Sequence, residues 1–231
     1  MLSSDKKTAR NKKIDRVLLR GWLADCAPDL QKIIISRTRL KSFPKGTEVY
    51  RAGDKGDGIY GLAQGAISLE FPSDTGEAVI VHQSEPGYWI GDLAILSNTP
   101  RLVTIKTTQD STFLVLSAKA VQNIIEQNMD FLQDFYRLSY DNLHLALRLI
   151  ASLTQRSADK AVALRLFISA ETTGFDNWIN ITQSELANLS GVSDASVKRI
   201  VSKFVAEGIL ITAYGKFMVA DPQALKTFCQ T

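Results

Sequence analysis

Between about Leu40 and Val115 apolar and polar positions alternate over short runs: GTEVYRAG, GIYGLAQGAISLEF, EAVIVHQ and LVTIKTTQDSTFLVLS. Glycine, Asp-Thr-Gly and Pro-Gly punctuate them every ten residues or so. Period-two runs separated by turn signals predict an antiparallel sandwich or barrel.

After Ser117 the period becomes helical. One stripe runs Phe131, Phe135, Leu138, Asn142, Leu145, Leu149 and Ser152 in steps of four and three, as a heptad seam does. A second stripe, Leu132, Tyr136, Leu143, Ala146, Ile150 and Leu153, is also apolar. A helix from Phe131 to Ser152 rises about 32 Å, and one small neighbour can hardly cover both stripes. The expectation is that the first stripe, from Phe131 to Leu149, meets a second copy of the chain. The second stripe is then left for the sheet. Asn142 in that seam would pair with its symmetry mate and fix a two-stranded register; the bland alternative points it to solvent.

Residues 183–200 read QSELANLSGVSDASVKRI, a helical pattern broken at Ser190-Gly191 and resumed three residues later. Thr182 and Glu185 have the spacing of a capping box, so a helix is predicted from Gln183. Gly191 supplies a sharp turn, and Ser193 can cap a second helix whose inner face is Val197, Ile200, Val201 and Phe204. Gly208 ends it. Two short capped helices locked at a steep angle by Leu186, small Ala187, Val192, Val197 and Ile200 form a helix-turn-helix. The second helix leaves Asp194, Ala195, Ser196, Lys198, Arg199, Ser202 and Lys203 outward. Arg199 is the best candidate for reading a base, since arginine binds guanine through two hydrogen bonds. Asp194 would repel phosphate but could accept from a cytosine amino group. With Gln183, Ser193, Ser196, Lys198 and Lys203 these form the candidate DNA surface; the alternative is a solvated charged face. ILITAYGKFMVA reads as a hairpin turning near Tyr214-Gly215-Lys216, a wing whose Lys216 could reach a phosphate.

The 231 residues carry a net charge of +3, but residues 1–20 alone hold +5, as seven Lys/Arg against two Asp. The body is therefore not generally basic, and any nucleic-acid role must come from a local patch. The basic segment is either a solvated tail or an auxiliary phosphate contact. No run of about 18 apolar residues is present to span a bilayer, and the N-terminus lacks the apolar core of a secretory signal. A cytoplasmic protein without membrane partners is expected. Cys26 and Cys229 lie far apart with no CxxC spacing, and His82 and His144 are the only histidines, so no metal site or cofactor is indicated. No GxSxG, P-loop or HExxH spacing appears, which argues against an enzyme.

The helix-turn-helix, FPKGTEVYRAGDKGDGIYGLAQGAISL (residues 43–69) and GDLAILSNTPRLVTI (residues 91–105) together resemble the Crp/Fnr family of bacterial transcription regulators, over roughly Phe43 to Val219. The resemblance implies an α+β chain. Its parts are a basic segment and helix (1–33), a cyclic-nucleotide-binding-like jelly roll or double-stranded β-helix (34–127), a long dimerisation helix (128–154) and a winged helix-turn-helix (155–231). It also implies a homodimer on double-stranded DNA with a near-palindromic site, and RNA polymerase as a partner. The third motif, residues 91–105, falls where the family has its phosphate-binding cassette, so Gly91, Asp92, Leu93, Arg101 and Leu102 are the candidate effector residues.

Cyclic-AMP-binding relatives carry there a glutamate for the ribose, an arginine for the phosphate and then a serine or threonine. Here Asp92 shortens the glutamate, Arg101 matches, and Leu102 replaces the hydroxyl residue. The Thr-Ser pair those relatives present to adenine has no counterpart in Asn142 to Ala151. Each unpaired buried polar group costs about 1–3 kcal/mol, and about 1.4 kcal/mol is tenfold in affinity, so cyclic AMP is not the expected effector. Arg101 then either receives another small anion or pairs with Asp92. Two other readings stand beside an effector-controlled regulator: one that binds DNA without a ligand over a collapsed pocket, and a nucleotide-binding module acting on a protein partner. The oxygen-sensing branch's four cysteines are missing.

Overall fold

A computed structural model describes residues 20–73 and 78–230. The basic segment before Arg20 and the Asp-Thr-Gly turn at 74–76 lie outside the described residues. Two compact units divide between Leu143 and His144. Among the described residues no helix is long and apolar enough to cross a membrane.

The first unit begins with two helices, α1 (Trp22–Asp25) and α2 (Pro28–Arg37). Eight strands follow: β1 (Arg39–Phe43), β2 (Glu48–Tyr50), β3 (Gly58–Gln64), β4 (Ile67–Pro72), β5 (Ala78–Ser84), β6 (Trp89–Ile90), β7 (Thr104–Thr107) and β8 (Ser111–Ser117). A short helix, α3 (Asp92–Leu96), lies between β6 and β7. The strands form two antiparallel four-stranded sheets, ordered β1-β8-β3-β6 and β2-β7-β4-β5, which is the jelly roll. Alternation sorts their side chains. Tyr60, Leu62 and Phe113 join Val49, Tyr50, Ile67, Leu69, Ile90 and Ile105 in one core. Ile59, Ala63, Leu114 and Leu116 belong to a second core with Trp22, Leu30 and Ile34 of the helices. Strand β3 is therefore buried on both faces, which explains its near-continuous apolar run.

Helix α4 (Ala118–Gln127) is capped by Ser117, whose hydroxyl accepts from the Ala120 amide. The long helix α5 (Phe131–Leu153) follows, and the division between the units falls within it. Its two stripes take roles opposite to those expected. Phe135 and Leu138 are buried in the second core, with Phe131 packed against it. Asn142 faces its own protomer, donating to Asp92 Oδ1 at 2.8 Å and to the Trp89 carbonyl at 3.2 Å. Leu145 is half-buried, Leu149 and Ser152 buried. The stripe exposed to solvent is Tyr136, Tyr140, Leu143, Leu147, Ile150 and Leu153, at 56–68% exposure, with Ala146 beside it. The physical reason is polar complementarity. Ser139 and Asn142 interrupt the first stripe where Asp92 and a carbonyl need donors, and that fixes which face turns inward.

The second unit continues with α6 (Ala158–Thr173), α7 (Gln183–Ser190), α8 (Asp194–Ala206), the hairpin β9 (Leu210–Ala213) and β10 (Lys216–Val219), and α9 (Pro222–Gln230). Its core gathers Val162 and Leu166 of α6, Leu186 and Ala187 of α7, Val197, Ile200 and Phe204 of α8, Phe217 and Val219 of the hairpin, and Leu225 of α9. Helix α6 is buried nearly all round and the other elements pack about it, and α7, α8 and the hairpin make the unit a winged helix-turn-helix.

Candidate functional site

The turn between α7 and α8 is set by local chemistry. The Thr182 hydroxyl accepts from the Glu185 amide at 3.1 Å, and the Glu185 carboxylate accepts from the Thr182 amide at 2.7 Å. That is the expected capping box. At the other end Gly191 adopts φ 66°, ψ 32°, where a residue with a Cβ is strained by roughly 1–2 kcal/mol. Its amide reaches the Asn188 carbonyl and the Val192 amide reaches the Ala187 carbonyl, the paired bonds of a Schellman stop. Ser193 then caps α8, accepting from the Ser196 amide at 3.2 Å.

With Val197, Ile200, Val201 and Phe204 buried, α8 turns Asp194, Ala195, Lys198, Arg199 and Ser202 to solvent. Ser196 and Lys203 are half-buried, and Gln183 is exposed at the start of α7. Arg199 is not free-standing: its Nη2 donates to Asp159 Oδ1 at 2.7 Å, and Lys203 Nζ donates to Asp159 Oδ2 at 3.3 Å. Its side chain remains 61% exposed. In the wing, Lys216 Nζ sits 4.5 Å from the Trp178 ring centroid, and Tyr214 stands fully exposed at the tip. Asp159 was not signalled by the sequence pattern, because it lies 40 residues from Arg199 on another helix.

In the jelly roll, Gly91 takes φ 100° and precedes α3. A Cβ there would collide with Arg101 Nη1, so glycine admits the guanidinium. Arg101 is 3% exposed. Its Nη1 donates to the Gly91 carbonyl at 3.1 Å, and its Nη2 to the Gly58 carbonyl at 2.8 Å and to Asp57 Oδ1 at 2.7 Å. The guanidinium lies 4.1 Å from the Tyr50 ring centroid and 5.6 Å from that of Tyr60, and Tyr60 also donates to Asp57 at 2.7 Å. The ion pair is with Asp57, not with Asp92 as one of the two alternatives for Arg101 had it. Arg101 Nε is buried without a hydrogen-bond partner among the described residues.

Asp92 is 2% exposed. Besides Asn142 it accepts from the Ser139 hydroxyl at 2.7 Å, so α5 supplies both partners of the carboxylate. Burial raises its pKa, outweighing the bonds from Ser139 and Asn142 and the attraction of Arg101, each of which lowers it. Leu93 and Leu102 are exposed, at 43% and 61%. Burial also pushes the Cys26 and Cys229 thiols up, to about 12 and about 11, leaving neither a ready thiolate. Among the described residues no cluster of His, Cys, Asp and Glu could hold a metal ion.

Residues 40–128 match the cyclic nucleotide-binding domain, and residues 148–228 match the Crp-like helix-turn-helix domain. The chain belongs to the Crp/Fnr family of DNA-binding transcription regulators. It is 23% identical over 217 residues to the HTH-type transcriptional regulator Cmr of Mycobacterium tuberculosis, covering 94% of this chain and 87% of that one. To the cAMP-activated global transcriptional regulator CRP of Pasteurella multocida it is 24% identical over 191 residues, covering 80% and 91%. FixK2 from Bradyrhizobium japonicum shares the fold at a TM-score of 0.71 and 16% identity, covering 83% of this chain and 96% of that one. A Crp/Fnr-family regulator from Thermus thermophilus does so at 0.62 and 22%, covering 84% and 99%.

Proposed function

We propose that the chain works as a cytoplasmic homodimer on a near-palindromic operator, with a sensor domain that does not answer to cyclic AMP. The dimer contact is the exposed stripe of α5, from Tyr136 through Tyr140, Leu143, Leu147 and Ile150 to Leu153. Steps of four and three across six large apolar side chains are the pattern of a two-stranded seam, and a stripe this long left to water is unusual in a monomer. Two α8 helices about 34 Å apart would enter successive major grooves. Arg199 would read a base, and Gln183, Ser193, Ser196, Lys198, Lys203 and Lys216 would fix the register on phosphates. Asp194, at the groove end of α8, narrows the sites accepted. RNA polymerase is the further partner that regulation of transcription implies.

The reading of the sensor is carried by one observation: the groups that would receive a cyclic nucleotide already have partners, Arg101 Nε excepted. A cyclic phosphate at Arg101 would have to displace Asp57, and a ribose at Asp92 would have to displace Ser139 and Asn142. This favours a sensor closed by its own side chains. The buried, unpaired Arg101 Nε favours a second reading, a small anion other than a cyclic nucleotide.

Sites selected from a random DNA pool test the first part, a near-palindrome with half-sites one helical turn apart being the expected product. Leu147→Asp should give monomers by sedimentation and lose that product; a dimer unchanged by this substitution contradicts the seam. Thermal unfolding with cyclic AMP, cyclic GMP and small anions tests the second. A ligand at 100 times its Kd adds about 2.7 kcal/mol, and no shift is expected with either cyclic nucleotide.

A further inference from the structure

The structure assigns to Asp159 a role in DNA reading: it is the positioning residue that fixes the guanidinium of Arg199 and so sets guanine preference at one base pair. This rests on Arg199 as a base reader. Arginine's long side chain has many rotamers, and an exposed one must be ordered before its two donors can meet a guanine edge. Asp159 does that ordering in advance. One carboxylate oxygen takes Arg199 Nη2 at 2.7 Å, and the other takes Lys203 Nζ at 3.3 Å.

The support continues down to the core. Lys203 Nζ lies 4.7 Å from the Phe228 ring centroid, and Phe228 packs edge-on against the fully buried Phe204 at 5.0 Å. Asp159 itself is held in the first turn of α6, where the helix dipole favours a carboxylate. Its own side chain is only 20% exposed, whereas that of Arg199 is 61% exposed. The anchor is therefore firm and the anchored group accessible. Arg199 Nε and Nη1 make no hydrogen bond with the described residues, and Nη2 keeps a second N–H, so a base can be met through two donors while the other N–H of Nη2 is held by Asp159. An acid beside a DNA surface repels phosphate and lowers affinity for every sequence. Retaining one here is explained by specificity, not by affinity.

The test uses the full chain and duplexes from the random-pool selection. Arg199→Ala first identifies the base pair whose preference is lost. At that pair the wild type should prefer guanine by roughly 5- to 150-fold. Asp159→Asn, similar in shape and without charge, should cut that preference about fivefold or more, leave preferences elsewhere unchanged, and bind non-specific DNA no more weakly than the wild type. Asp159→Glu should restore part of the preference, which a merely structural role in α6 would not predict. Thermal unfolding of each variant separates these effects from misfolding. If Asp159→Asn raises affinity for all duplexes equally and keeps the guanine preference, Asp159 is only a nearby acid and the inference fails alone. If Arg199→Ala changes no base preference, the base-reading role of Arg199 fails as well.

Discussion

Arg101 in the jelly roll and Arg199 on the recognition helix each meet one aspartate at 2.7 Å, in opposite surroundings. Arg101 is the buried partner of an exposed acid: its side chain is 2% exposed and that of Asp57 62%. Arg199 is the exposed partner of a shielded acid. Bond length is the same, so burial decides the role. A buried guanidinium that also donates to two carbonyls is committed to the fold, because exchanging its partners means stranding them. An exposed one gains at most about 1 kcal/mol from its ion pair, enough to bias a rotamer and too little to withhold it from DNA. One guanidinium of the chain is thus turned inward and the other kept at the surface.

The contrast can be broken most forcefully at Arg101. Replacing it by alanine empties a buried site and strands the carbonyls of Gly58 and Gly91, and should lower the stability of the first unit by about 3 kcal/mol. Urea unfolding followed by tryptophan fluorescence reports it, since Trp22 and Trp89 are buried there; an unchanged midpoint would show that Arg101 is uncommitted. A smaller effect belongs to the backbone that presents Arg199. Gly191→Ala should destabilise the second unit by roughly 1 kcal/mol, through positive φ, because a Cβ there meets only Leu153 Cδ2, at 3.4 Å.

Acid titration sharpens the comparison further, since Asp92 and Asp159 are perturbed in opposite senses. Burial raises the pKa of Asp92. The folded chain then holds that proton more tightly than the unfolded one, so the contribution is full below about pH 3.9 and is lost as pH rises through the folded value. The Arg199 hydrogen bond is the largest cause lowering the pKa of Asp159. Its contribution is present above about pH 3.9 and is lost as pH falls through the folded value. Asp92→Asn should therefore flatten the stability curve above about pH 4, and Asp159→Asn the limb below it, in urea midpoints measured across the acid range. The smallest stability effect is that of Arg199→Ala, within about 0.5 kcal/mol, while its operator binding falls about tenfold. A large loss of stability would place Arg199 with Arg101 as a structural residue.

What the sequence made legible was local. The capping box at Thr182 and Glu185, the stop at Gly191 and the cap at Ser193 act within four residues, and short-range spacing carries them. An antiparallel sandwich or barrel was legible from period and turn signals, but that it is a jelly roll was implied only by the family resemblance. The faces of α5 were read in reverse, because both stripes are apolar and the deciding partner, Asp92, lies 50 residues from Asn142. The partners of the two arginines were missed for the same reason, being 44 and 40 residues away. Ser139, just outside the stretch where an adenine contact was sought, takes the carboxylate instead. An acid that ends a loop, as Asp57 does, or opens a helix, as Asp159 does, has local reasons to be there and gives no sign of a distant cation.

The proposed sensor, held by its own side chains, would place no cyclic AMP requirement on DNA reading. Fluorescence anisotropy of a labelled, pool-selected duplex, titrated with the full chain with and without millimolar cyclic AMP, tests this most directly. Superimposable isotherms are the expected result, with a Kd that weakens log-linearly with salt. Binding that emerges only when the nucleotide is added would contradict it.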